Sequence, residues 1–98
     1  MGPRPSIHKA AQRGDVKEVQ RMLDDGIDVN QRNDYNSTPL HYAVMAATRA
    51  LQDYADGVDE KKRVDHKLAL ETVALLMHRG GDVTIRNDRR DSVMVRLL

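Results

Sequence analysis

Two short motifs recur along this chain, and their spacing narrows the folds open to it. Ile7-His8-Lys9-Ala10 returns as Leu40-His41-Tyr42-Ala43, with the two histidines 33 positions apart. Gly26-Ile27-Asp28-Val29 returns as Gly80-Gly81-Asp82-Val83, 54 positions on, and Thr38-Pro39-Leu40 is echoed at the same offset by Ser92-Val93-Met94. Self-similarity at a period of roughly 20–50 residues marks a stack of small units, each unable to bury its apolar face alone. The two offsets agree if the second unit carries 21 extra residues, which fall at 47–67. The 98 residues then form one domain: repeat one at 5–36, repeat two at 37–90 with the insertion 47–67, and part of a third repeat at 91–98.

The residues available for a core favour helices. Phe, Trp and Cys are absent, so the interior must be built from Leu, Val, Ile, Met and Ala, which pack helix on helix well and build sheets poorly. Without cysteine, disulfides, thiol nucleophiles and cysteine zinc sites are excluded. Lys+Arg 16 against Asp+Glu 15 excludes a strongly basic nucleic-acid arm and an acidic tail. No apolar run approaches the roughly 18 residues of a membrane span, and the first ten residues show no apolar leader. An intracellular setting, cytoplasmic or nuclear, is expected.

Local signals divide each unit. Ala10, Ala11, Val16, Val19, Met22 and Leu23 have the spacing of a helix, a break and a second helix. Gly14 supplies the break, Asp15 with Glu18 three residues on a helix cap, and Gly26 the next stop. From Ile27 to Ser37 the chain is polar and turn-rich, and Asn36 tolerates a left-handed tip. Thr38 then caps a new helix, with Pro39 in its first turn, where the missing N–H costs nothing.

Thr38-Pro39-Leu40-His41-Tyr42-Ala43 and the Gly26-Ile27-Asp28-Val29-Asn30 and Gly80-Gly81-Asp82-Val83-Thr84 endings resemble the ankyrin repeat family. The resemblance weakens toward the C-terminus, where Ser92-Val93-Met94-Val95 lacks the Pro and His and Arg90 replaces a Gly. It implies an all-α stack of helix-turn-helix units with projecting hairpin loops. It also implies that His41 bonds the Thr38 hydroxyl and nearby backbone; His8 has Pro5 where that threonine would stand. The family's ligand-facing positions fall on Gln12 and Arg13, on Asp34, Tyr35, Ser37, Met45 and Ala46, and on Asp88, Arg89 and Asp91. Tyr35 stands out as a large aromatic residue at a tip, of a type favoured at binding hot spots.

The insertion reads as structure, with a flexible loop as the alternative. Ala43, Ala47, Ala50, Leu51 and Tyr54 continue one apolar stripe, Asp56-Gly57 is a stop, and Val64, Leu68, Val73, Leu75 and Leu76 form a second stripe. The spacing predicts helices over 39–54 and 59–79, capped by Asp59 and joined by a turn at 55–58, a lengthened helical hairpin held together at its outer end by Leu51, Tyr54, Val58, Val64 and Leu68.

Chemistry is not expected. His8, His41, His66 and His78 include no i,i+4 pair, so no metal site is predicted, and no cofactor. Ser6, Ser37 and Ser92 sit at helix starts, where capping accounts for them, and no catalytic residues emerge. Lys61-Lys62-Arg63 is neutralised by Asp59, Glu60 and Asp65, while Arg86, Arg89 and Arg90 suit an acidic protein patch. With so few aromatic platforms, nucleic acid is not the expected partner, nor is a membrane. The expected function is non-catalytic protein–protein interaction. The alternative is a structural, end-capping or homo-oligomerising module using the apolar end formed by Val93, Met94, Val95, Leu97 and Leu98.

Overall fold

The structure, a computed structural model, describes residues 6–59 and 66–87. Every regular element among them is a helix: α1 (Ile7–Gln12), α2 (Val16–Asp24), α3 (Pro39–Ala55) and α4 (His66–His78). The pairs α1/α2 and α3/α4 stack side by side, α1 against α3 and α2 against α4.

Each start follows from its cap. Ser6 Oγ accepts from Lys9 N–H at 3.2 Å, and Asp15 Oδ1 from Glu18 N–H at 3.3 Å. At α3 the Thr38 N–H donates to His41 Nδ1 at 3.0 Å, and the Thr38 hydroxyl lies 2.8 Å from the same nitrogen. A nitrogen that accepts an N–H carries no hydrogen of its own, so His41 is bonded as the sequence resemblance implies. Both residues are buried. The stops are alike: Gly26 has φ +98° and Gly57 φ +74°, values that cost a side-chain-bearing residue strain. In both, the next N–H reaches back to the helix, Ile27 to Met22 O at 3.0 Å and Val58 to Asp53 O at 2.9 Å. Asn36, at φ +56°, takes the left-handed tip.

A helix as short as α1 (6 residues) does not hold in water by itself. It is held by burying Ile7, Ala10 and Ala11 in one core with Val19, Met22, Leu23, Leu40, Ala43, Val44 and Leu76. Arg79 also pairs with Asp24 at 2.9 Å, tying α4 to α2.

The insertion departs from expectation in one respect. Its first part is helical, since α3 runs to Ala55 and turns at Asp56-Gly57. Asp59, the predicted cap, is described and is not helical; the helix expected to follow it and the stripe residue Val64 fall on 60–65, outside the described residues, and α4 is described from His66. Three of the side chains expected to hold the outer end together are instead exposed, Leu51 at 52%, Tyr54 at 62% and Leu68 at 40%, while Val58 is half-buried. Ala47, Ala50, Ala69 and Thr72 are buried in their place. Small residues allow close helix approach, and Leu51 sits one 100° step away from Ala50 on the helix. The Thr72 hydroxyl satisfies itself on Leu68 O at 2.7 Å. Tyr54 keeps an outer contact, its ring 6.2 Å from that of His66.

Candidate functional site

The tip between the two helix pairs is organised by Asn33. Its Oδ1 accepts from the N–H groups of Tyr35 and Ser37, both at 3.0 Å, and its Nδ2 donates to the Tyr42 hydroxyl at 2.7 Å. The Asn33 N–H donates to Ser37 O at 3.0 Å. His8 secures the tip from below: its Nε2 donates to Gln31 O at 2.8 Å and Ser37 O at 3.0 Å, and its ring meets Tyr42 edge-on. With its backbone committed in this way, the tip presents the Tyr35 side chain outward, 67% exposed.

The next tip is tied to this one. Asn30 donates to Gly80 O at 3.2 Å and accepts from Asp82 N–H at 2.8 Å. Asp82 Oδ1 accepts from the Thr84 N–H at 2.8 Å and hydroxyl at 2.6 Å. Those bonds, the hydroxyl foremost, hold the Asp82 carboxyl below the usual carboxylate range; nearby Arg32 adds to the effect and desolvation opposes it.

Four of the expected ligand-facing residues come together. Gln12 and Arg13 at the end of α1 and Met45 and Ala46 on α3 line one open groove of about 440 Å³, joined by Arg49, Ala50 and Asp53. Asp34 and Tyr35 line a second hollow beside it with Lys9, Arg32 and Tyr42, and Gln12 is common to both. Ser37 and Ala46 are buried rather than open. Ser37 is enclosed because its N–H and C=O are spent on Asn33 and His8, and Ala46 forms groove floor. Asp88, Arg89 and Asp91, like Val93, Met94, Val95, Leu97 and Leu98, lie outside the described residues. Sequence reasoning missed Lys9, Tyr42, Arg49 and Asp53. A signal existed for two of them, since Met45, Arg49 and Asp53 follow at steps of four along one helix face.

Ion pairs among the described residues join Arg21 to Glu18 and Asp25 and Arg79 to Asp24; none engages Lys9, Arg13 or Arg49. Among the described residues no cluster of His, Asp or Glu could hold a metal ion. No described helix is long and apolar enough to cross a membrane.

A sequence model described as ankyrin repeats (many copies) matches residues 7–50. Alpha-latrotoxin-Lhe1a of Latrodectus hesperus is 43% identical over 49 residues, 49% of this chain and 4% of the toxin. Ankyrin repeat domain-containing protein 40 of Homo sapiens is 45% identical over 38 residues, 38% of this chain and 10% of that protein. E3 ubiquitin-protein ligase KEG of Arabidopsis thaliana is 28% identical over 89 residues, 91% of this chain and 4% of the ligase. The chain thus matches only a small part of the length of these relatives.

Proposed function

Residues 7–50 being ankyrin-repeat sequence, we propose that this chain is a non-catalytic module that binds a protein partner across its concave face and hairpin tip. Ankyrin repeats generally mediate protein–protein interaction and are generally non-catalytic. The observation that carries the reading here is Tyr35, 67% exposed on a tip whose backbone bonds are already used internally. An exposed aromatic side chain on a preorganised loop offers contact area at little further entropic cost. Gln12, Arg13, Asp34, Met45 and, beyond the described residues, Asp88, Arg89 and Asp91 complete the proposed surface. The proposal extends to the division into repeats at 5–36, 37–90 and 91–98. It also includes an intracellular setting, which a cysteine-free chain suits, and a protein rather than a nucleic acid or membrane as partner. The test is a peptide or protein ligand selected against the full chain and remeasured with Tyr35→Ala. Loss of affinity with an unchanged melting temperature supports the reading; unchanged affinity removes it.

Leu70 and Met77, both 48% exposed on α4, favour a second reading, in which this face joins another copy or a further unit. Met77 stands 54 positions after Leu23, which is buried between the stacked pairs. Light scattering across a concentration series decides it, and a monomer throughout rules out self-association.

A further inference from the structure

We propose that the concave trough takes an extended acidic peptide, a short run of Asp or Glu flanking one apolar residue, and that the insertion builds half of this site. The inference rests on the concave-face reading above and specifies the partner's chemistry.

The argument begins with a mismatch of helix lengths. At the repeat offset of 33, Gln12 corresponds to Met45, Arg13 to Ala46 and Gly14 to Ala47. α1 stops at this level, but α3 continues to Ala55. Counted from Met45, the counterpart of the last residue of α1, ten residues of overhang amount to about 15 Å of helix. The groove lies at this step, with Arg13 on the short side, Arg49 and Asp53 on the overhang, and Met45 between them above a floor of buried Ala46 and Ala50. Without the insertion, Arg49, Ala50 and Asp53 would be missing from its wall.

Charge then selects the occupant. Lys9 stands one helical turn before Arg13 and lines the adjoining hollow, which shares Gln12 with the groove. Lys9, Arg13 and Arg49 are exposed, and none has an ion-pair partner among the described residues. Three cations along one trough with no ion pair among the described residues favour carboxylates, which guanidinium groups bind in a two-pronged geometry. Two acids line the same trough, Asp53 in the groove and Asp34 in the adjoining hollow. They would repel a continuous polyanion such as nucleic acid while leaving room for a short acidic run. Met45, half-buried, gives the peptide's apolar residue a surface to cover.

Three labelled ten-residue probes test this by fluorescence anisotropy on the full chain. They carry Glu-Glu-Leu-Glu-Glu, its Gln counterpart or its Lys counterpart between Gly-Ser flanks. The Glu probe is expected to bind about tenfold more tightly than the Gln probe and to weaken as salt rises from about 50 to about 300 mM. The exposed double variant Arg13→Glu/Arg49→Glu should keep its melting temperature, lose the Glu probe by about tenfold and gain the Lys probe. Equal binding of Glu and Gln probes, no binding of the Glu probe, or a Glu affinity unmoved by the double variant overturns the inference. Met45→Arg separates the two levels of the argument. Probes that bind regardless of charge yet are lost in Met45→Arg leave the concave face as the binding surface and remove the acidic class. Probes indifferent to both Met45→Arg and Tyr35→Ala remove the face as well.

Discussion

His8 and Ser37, 29 residues apart in the chain, are joined by a 3.0 Å bond from the imidazole Nε2 to the carbonyl oxygen. The same nitrogen reaches Gln31 O at 2.8 Å. Carbonyl oxygens only accept, so Nε2 carries the hydrogen and divides it between two acceptors. The first helix pair thereby fixes the loop that leads into the second. The position of Tyr35 depends on the helix pair before it as well as on its own turn.

Replacing His8 by Ala takes the imidazole donor from Gln31 O and leaves Ser37 O with the Asn33 N–H alone. The expected cost is about 1–3 kcal/mol, the penalty for leaving such groups unpaired. A lowered denaturation midpoint should come with faster amide exchange at Asn33 and Ser37, whose N–H groups close the tip. His41→Ala should cost a similar amount through the lost acceptor for Thr38. An unchanged midpoint in either variant contradicts the role given to that ring.

These two histidines show where sequence reading reaches and where it stops. His41 was legible because its partner Thr38 is three residues away, inside a motif with a local capping geometry. His8 looked partnerless, with Pro5 in the threonine's place, because its acceptors are backbone carbonyls that no residue type announces. The helix limits at Asp15, Gly26 and Thr38 were legible for the same local reason. The groove between Arg13 and Arg49 was not, since it comes from the difference in length between two helices and exists only once they are stacked. Leu51 and Tyr54 misled because an apolar stripe gives periodicity but not which neighbour lies close enough to cover it.

Tyr35→Ala should weaken a concave-face ligand by about 2 kcal/mol or more. Stability should be nearly untouched, since the side chain is 67% exposed and the turn is held by its backbone and Asn33. Calorimetric titration and a thermal melt of the same variant separate the two effects. A large drop in melting temperature would show that Tyr35 serves the fold instead.

Asp82 gives a prediction with a definite sign. Its folded-state pKa is depressed, so its bonds to Thr84 contribute stability above the unfolded value, about 3.9. That contribution is lost as pH falls through the lower folded value. Thr84→Ala removes the hydroxyl, the larger cause, and keeps the N–H. The Asp82 carboxyl, followed by its carbon chemical shift, should then titrate at higher pH than in the wild type. An unmoved titration would show that the hydroxyl bond does not persist in solution.

Deleting 47–67 should restore an uninterrupted 33-residue spacing and leave the stack folded. The deletion removes Ala47 and Ala50 from the buried set, but the large core side chains Leu40, Val44, Val19 and Leu76 all lie outside it. The last turn of α3 is held by a glycine cap and by exposed Leu51 and Tyr54, which contribute little burial. In the intact chain this outer end should therefore exchange amide hydrogens soonest, with protection falling from Ala50 toward Ala55. Random-coil exchange from Ala47 onward would show that the overhang does not hold as a helix. A deletion variant that fails to fold would show that Ala47 and Ala50 seal the core. One that folds would separate the stack, which the repeats support, from the outer wall of the groove, which the insertion adds.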